Sequence, residues 1–346
     1  MADTMADIMT DTMDTISSYN GENEKRPGLV FYVRRSERGM TARGVLMRTK
    51  GVSQRLIGKI AHAKGEDDGA LYINGRPARF KDRVKSGDEI RLVFPKEETW
   101  MEPQEIPLET IYEDGDILAI NKQPGMVVHP TKNHKDGTIA NAIVFYMKQR
   151  GEDYKPRFIS RLDMDTTGIL LIGKNSHAQD SLARQGAEGL VKKVYTAVLE
   201  GRLEDDLPPC GMIDLPVGQA VPGDPRRSVL PEEEGGYNAQ TGYEVQQIVR
   251  LDNPACSGEQ RLQENPAVLT VVRIRLFTGR THQIRVHFAH FGHPVLGDLL
   301  YGNSSPLIPR QALHATEFSF VHPATGCDMH LEAPLPQDMA DIINQI

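Results

Sequence analysis

Long apolar runs are missing from this 346-residue chain. None approaches the roughly 20 residues that cross a bilayer, and no basic-then-apolar leader pattern opens the sequence. A membrane-spanning or secreted protein is therefore not expected. Cysteine is scarce: Cys210, Cys256 and Cys327 are odd in number and far apart. That excludes a disulfide framework and a paired-cysteine zinc site, and fits a reducing, cytoplasmic setting. Phosphate-cradling loops of the GxxxxGK(S/T) and GxGxxG kinds are absent as well, and no solenoid-type repeat is visible. What is present is ordinary for globular proteins, with 39% hydrophobic and 25% charged residues. The length suits about two domains.

The formal net charge of −7 hides an asymmetry. Residues 1–24 carry six acids and no base, a low-complexity stretch that reads as a disordered acidic tail. Residues 25–97 hold 18 Lys and Arg against 8 Asp and Glu, a local charge of +10. Either a solvated basic face or a footprint for a polyanion accounts for such a segment. Within it, Val52, Leu56, Ile57 and Ile60 follow helical spacing, with Ser53 as N-cap and Gly65 as stop. Arg55 and Lys59, four residues apart, share one helix face. Leu71–Ile73 reads as a strand entering an Asn74-Gly75 turn, and Ile90–Phe94 as a closing strand.

Residues 98–107 are polar, contain two prolines and read as a linker. Beyond them strands outnumber helices. A hairpin is predicted around Asp114–Asp116, a buried strand at Ile169–Ile172, and further strands at 193–199, 242–249, 269–277 and 317–321. Helices are expected at 138–150 and 178–185. Without regular βαβ repetition this describes an α+β domain on a mixed, mostly antiparallel sheet, spanning 108–346. The acidic stretch 203–266 reads as long connections around one or two strands.

Three places carry residues suited to chemistry. The Ser160–Gly168 loop feeds the buried strand and holds Asp163 and Asp165. Either acid can serve a site on a rigid scaffold or simply cap backbone N–H groups. In Thr278–His287 the spacing predicts a helix over 282–291, with Thr281 as N-cap, Gly292 just past the end, and Ile284, Phe288 and Phe291 facing the core. Arg280, Thr281, His282 and Arg285 at its start suit anion recognition. A metal site from His287, His290 and His293 lacks a companion carboxylate at a fitting spacing. In the third place, alternation puts Lys193, Tyr195 and Ala197 on one strand face, where Tyr195 either stacks on a base or packs in the sheet.

In order along the chain, NKQPGMVVHP, RLDMDTTGILLIGKN, KVYTAVLEG, TGRTHQIRVHFAHFGHPVLGDLLYG and RQALHATEFSFVHP resemble the RluA/RluD-type RNA pseudouridine synthases from about residue 108 onward. VSQRLIGKI, LYINGRPA and VKSGDEIRLVF make the basic segment similar to the small, ribosomal-protein-S-four-like α/β RNA-binding domain. Ser160 stands where the family often has His, and Thr167 where Ser is common.

The resemblance implies the pseudouridine synthase fold and isomerisation of uridine in structured RNA, ribosomal first and transfer RNA second, with no cofactor, metal or obligatory protein partner. It gives the central role to Asp163, as nucleophile at the sugar or base at the ribose. Burial alone raises a carboxyl's pKa, and a fixed guanidinium within a few ångströms reverses that. Arg285 is the first choice for this partner and Arg280 the next, since arginine keeps its charge. Tyr195 is implied to stack on the detached uracil and to assist deprotonation, and Arg161 to fill the space of the flipped base. Lys122, Lys193, Arg280, His282, Arg55 and Lys59 are implied to hold RNA. Two other readings stand on the bare residues. Asp163 and Asp165 suit a carboxylate-pair glycoside or nucleoside hydrolase, and the basic segment suits a non-catalytic ribosome-assembly factor.

Overall fold

The computed structural model describes residues 27–62, 69–131, 134–251 and 268–344. The acidic tail, the expected helix stop at Gly65, Cys256 and the end of the acidic stretch lie outside the described residues.

The basic segment folds on its own small sheet. β1 (Gly28–Tyr32), α1 (Ala42–Arg48), α2 (Gln54–Ala61), β2 (Ala70–Ile73), β3 (Arg76–Pro77) and β4 (Glu89–Val93) form it, with antiparallel strand order β1-β4-β2-β3. Both helices start where a hydroxyl replaces a missing backbone partner: Thr41 accepts from Gly44 N and Ser53 from Leu56 N. The apolar faces of the helices, Val45, Leu46, Leu56, Ile57 and Ile60, close over Leu29, Phe31, Ile90 and Leu92. Each such side chain contributes about 1.5–3 kcal/mol by leaving water. Asn74 and Gly75 turn the β2–β3 hairpin at φ 50° and 72°, as a two-residue loop requires.

The rest of the chain supplies β5 (Glu109–Glu113), β6 (Ile117–Lys122), α3 (Ile139–Gln149), β7 (Arg157–Phe158), β8 (Thr167–Gly173), α4 (Ser176–Ala187), β9 (Lys192–Glu200), β10 (Cys210–Asp214), β11 (Val217–Gly218), β12 (Ser228–Val229), β13 (Gln240–Arg250), β14 (Val268–Leu276), α5 (Gln283–His290), β15 (Leu313–Val321), β16 (Asp328–Glu332) and α6 (Gln337–Ile343). The main sheet runs β10-β13-β14-β9-β15-β8-β6-β5, with β16 added on β15 and β7 on β8. Every pairing in it is antiparallel except β15 with β8, so the sheet is mixed and mostly antiparallel and the fold is α+β.

Period-two alternation divides the apolar side chains between two faces. Leu118, Ile120, Leu170 and Ile172 meet α3, whereas Ile117, Ala119, Ile169 and Leu171 meet α4. In β15, Leu313 and Ala315 belong to the first core while Phe318 and Phe320 belong to the second, and the register with β9 shifts between Ala315 and Glu317. Gly168 lies where β8 first pairs with β15, at φ 105°, and a Cβ there would stand 2.2 Å from the Ala315 carbonyl oxygen. Only glycine lets the two backbones approach so closely immediately after the 160–167 loop.

The expected linker is packed rather than free. Met101 is buried in the main core, and Asn141 Nδ2 donates to the Glu102 carbonyl at 2.8 Å. Glu97 receives Arg157 of the main sheet and pairs with Lys59 of α2 at 3.6 Å. Lys59 therefore has an acidic neighbour at the seam between the two sheets, which weakens the expectation that it holds RNA. Arg55, on the same helix, is exposed.

Candidate active site

Four segments converge on one end of the main sheet: the loop leading into β8, the start of β9, the 278–282 loop and the first turn of α5. They enclose a cleft of about 770 Å³ lined by Arg161, Asp163, Lys193, Tyr195, His282 and Arg285 among others. The sequence motifs, distant along the chain, are brought together here.

Asp163 is about a quarter exposed, and its Oδ2 accepts from Arg285 Nη1 at 2.9 Å. Arg285 is itself buried, held by a second carboxylate: Nε and Nη2 donate to Asp298 at 2.6 and 2.7 Å. Burial works against the guanidinium's charge, but the hydrogen bonds and charge of Asp298, joined by those of Asp163, raise its pKa well above the ordinary value. Asp298 has no solvent exposure and also accepts from the backbone N–H groups of Leu300 and Tyr301. Sequence reasoning did not single out Asp298. Its signals were a lone acid within the apolar run Val295–Leu300 and its place in the motif that ends GDLLYG.

The loop carrying Asp163 is held from beneath. The side chain of Lys122, at the end of β6, is 1% exposed, and its ammonium donates to the carbonyls of Met164, Thr166 and Gln123 at 2.6, 3.0 and 3.0 Å. Burial pushes its pKa down to about 8, against the pull of Asp165 and Asp163. All three N–H bonds are engaged inside the protein, so Lys122 is a clamp on the loop and not the phosphate contact the resemblance implied. Arg310 Nη1 donates to the Asp165 carbonyl at 3.3 Å from the other side.

Asp165 itself turns away and accepts from the Gly125 backbone N–H at 3.1 Å. It is the acid that caps backbone, while Asp163 faces the cleft, so the two carboxylates do not form the facing pair a glycoside hydrolase requires.

The helix after the 278–282 loop begins one residue later than its spacing predicts, with His282 and not Thr281 at the N-cap. Gln283 explains the difference: its Oε1 accepts from the Arg280 backbone N–H and the Thr278 hydroxyl, and its Nε2 donates to Gln240 O and Thr241 Oγ1. Thr281 is left to accept from Arg161 Nη2 at 3.3 Å. Gly292, at φ 80°, follows the helix as expected. Arg280 is not a partner of Asp163; its Nε donates to the Asn238 carbonyl, and its guanidinium lies 5.7 Å from the Tyr237 ring centre. Nor do His287, His290 and His293 converge. His287 bonds Thr241 and the Leu215 carbonyl, and His293 bonds the Glu200 carbonyl and Asp206.

Tyr195 is 7% exposed, within the wall of the cleft. Burial and then the charge of Asp163 raise its phenol, which favours the protonated form. That suits stacking and proton donation better than the expected role as base. Burial also lowers the ammonium pKa of Lys193, two residues before it on the same strand face. Ser160 is buried against the cleft, and its hydroxyl has no hydrogen-bond partner among the described residues.

Among the described residues one carboxylate–histidine group has metal-like spacing, Asp114, Asp116 and His322. It lies outside the cleft with its ligand atoms engaged: His322 Nε2 bonds Asp114 at 2.7 Å, and His322 Nδ1 accepts from two backbone N–H groups.

Comparison with known proteins gives a consistent picture. The family model described as RNA pseudouridylate synthase matches residues 116–290. An uncharacterized RNA pseudouridine synthase of Bacillus subtilis (strain 168) is 37% identical over 295 residues, covering 85% of this chain and 95% of that protein. Ribosomal large subunit pseudouridine synthase D of Nitrosomonas europaea is 35% identical over 80% of this chain and 76% of its own length. The protein of the same name from Escherichia coli O6:H1 is 35% identical over 80% and 82%. Among solved structures, human RNA pseudouridylate synthase domain containing 1 superposes with a TM-score of 0.51 at 25% identity, covering 68% of this chain and 86% of that one.

Proposed function

The chain belongs to the RNA pseudouridylate synthase family, and from that premise we propose that it isomerises uridines of large-subunit ribosomal RNA with Asp163 as its catalytic carboxylate. One observation carries the reading: a half-buried carboxylate faces an open cleft while a buried arginine, itself fixed by Asp298, holds one of its oxygens. The choice of ribosomal RNA is supported by the names of the relatives that share about a third of its residues. On this reading the enzyme works in the cytoplasm and needs no protein partner; transfer RNA is the second candidate substrate.

The reaction breaks the bond between uracil N1 and ribose C1′, turns the base, joins C5 to C1′, and transfers the C5 proton so that composition is unchanged. Asp163 acts at the ribose, as nucleophile at C1′ or as base at C2′. Both roles need an anion, and the fixed guanidinium offers that anion a charge-assisted hydrogen bond. Tyr195 offers the turning base a flat apolar surface. The target must leave its stack to enter. Arg161, exposed at the loop and tied to Thr281, is positioned to occupy the vacated space.

On this reading residues 25–97 serve as the RNA-binding module and residues 108–346 as the catalytic domain. The module's charge supports phosphate contacts that position the RNA without reading its sequence, and exposed Arg55 is the best candidate contact.

Tritium release from RNA labelled at uridine C5 tests the assignment. The wild-type protein should release label from large-subunit ribosomal RNA isolated from cells lacking the gene, and carbodiimide mapping should locate the product. Asp163→Asn should lose on the order of 10⁴-fold in rate while RNA affinity stays within about two-fold. Wild-type release from transfer RNA alone would overturn the substrate, and full activity of Asp163→Asn would overturn the site.

A further inference from the structure

His282 is held in an unfavourable backbone conformation that its position in the chain does not explain. Among the described residues only two non-glycines have positive φ, Asn74 at 50° and His282 at 59°. Asn74 lies in an Asn-Gly hairpin turn, where this conformation is ordinary. His282 lies at the N-cap of α5 yet makes no side-chain cap hydrogen bond. A left-handed residue of this kind costs roughly 1–3 kcal/mol and persists only where its surroundings impose it.

The surroundings are those of Asp163. His282 Nδ1 lies 2.8 Å from the Tyr301 hydroxyl, and that hydroxyl already accepts the Arg227 backbone N–H at 2.7 Å. A phenol that accepts there and gives its own proton to Nδ1 makes Nδ1 the acceptor and places the ring's own proton on Nε2, the tautomer assigned here. Nε2 lies 3.9 Å from Asp163 Oδ2, the same oxygen that takes Arg285. Tyr301 serves both neighbours of the carboxylate, since the Arg285 guanidinium stacks 5.1 Å from its ring centre. Asp163 Oδ1, by contrast, accepts no hydrogen bond from any described residue.

Resting on Asp163 as the catalytic carboxylate, we propose that His282 is a positioning residue, a neutral ring with its tautomer set by Tyr301, whose Nε2–H stands beyond hydrogen-bond distance of Oδ2 and closes onto it beside Arg285 when RNA enters, leaving Oδ1 as the oxygen presented to the ribose. This replaces the RNA-holding role the sequence suggested for His282. The strained backbone aims the ring at the carboxylate: the right-handed conformation would start the helix one residue earlier and swing the imidazole away. Neutrality follows from the groups around the ring. Burial disfavours the charged form, Asp163 and Asp298 favour it, and Arg285 and Arg227 oppose it, with the net effect downward.

Two measurements on the full chain test this. Nitrogen-15 NMR of the histidine rings at pH 7.5 should find His282 neutral and protonated at Nε2, and Asp163→Asn should lower its pKa further by removing a nearby anion. A ring protonated at Nδ1, or one indifferent to Asp163→Asn, overturns the proposal whatever the RNA substrate proves to be. Single-turnover tritium release from large-subunit ribosomal RNA should fall by up to about 10²-fold in His282→Gly, which relieves the strain and removes the donor, with RNA affinity within about two-fold of wild type. His282→Gln, whose amide N–H replaces the one at Nε2, should recover most of that loss, and His282→Asn, whose amide is too short, should not. An unchanged rate in His282→Gly, or a loss of affinity equal to the loss of rate, assigns the residue to RNA binding or to no role at Asp163. Failure of the wild type to release label bears on the proposed activity alone, because the NMR arm is read without it.

Discussion

At the scale of single residues the site is a chain of buried charges, each with a partner. Asp298 neutralises and orients Arg285, Arg285 holds Asp163, and Lys122 holds the loop on which Asp163 stands. Breaking a buried ion pair by removing one member costs about 3–5 kcal/mol, because the other charge is left without compensation. Asp298→Asn, which keeps the shape and one acceptor, should fall toward the lower end of that range in thermal or urea unfolding. Its turnover should drop without a matching loss of RNA affinity, and a variant as stable and active as wild type would separate Arg285 from Asp298.

Lys122 gives a pH dependence whose sign differs between stability and activity. Its pKa is about 8 in the folded protein against 10.5 when unperturbed. Between those values the unfolded chain binds the additional proton, so this group's contribution to stability rises with pH. Activity goes the other way: above about 8 the neutral amine has too few hydrogens for three carbonyls, and the Asp163 loop loses an anchor. Turnover should therefore decline through about pH 8 without a parallel fall in melting temperature, and a flat profile up to about pH 9.5 would remove Lys122 from the site's support.

At the scale of elements, two glycines illustrate opposite demands. Gly168 permits the β8–β15 crossing on which the Asp163 loop is mounted, at a positive φ and against the Ala315 backbone. Gly168→Ala should destabilise by roughly 1–3 kcal/mol from backbone strain alone and lower turnover as the strands separate. Gly58, in α2, has an ordinary helical backbone, and a methyl group added there would meet nothing within 4 Å. Gly58→Ala should stabilise by up to about 1 kcal/mol, since alanine is the better helix former. Denaturant unfolding of both variants reads the two signs directly. β15 belongs to this scale too: one strand supplies Leu313 and Ala315 to the core beneath the cleft and Phe318 and Phe320 to the opposite core.

For the whole molecule, the charge separation matters most. A segment at +10 adjoins a remainder that is acidic overall, so on the proposed reading long-range attraction for RNA is concentrated in that segment and weakens as salt rises. Arg55→Ala should reduce the slope of log affinity against log salt by about 1, with a similar effect on any RNA sequence. Lys59→Ala should reduce it less, because Glu97 already lies 3.6 Å from that ammonium. Filter binding of ribosomal RNA between low and physiological salt distinguishes the two.

By itself the sequence determined the local features of this protein. Alternation marked the strands, Ser53 and Thr138 marked helix starts, Asn74-Gly75 marked a hairpin, and the ordered motifs pointed to Asp163, Tyr195 and Arg285 as one site. These depend on interactions a few residues apart, or on motif matches that need no geometry. The tertiary structure decided everything that rests on distant partners. The resemblance assigned Lys122 to RNA, but carbonyls 42 and 44 residues away enclose it. Two similar acids in one loop took different parts because one met Gly125 and the other met Arg285, 122 positions along the chain. The burial of Asp298 and the left-handed backbone of His282 could not be read locally, since desolvation and the packing of Tyr301 act only once the chain has closed around them.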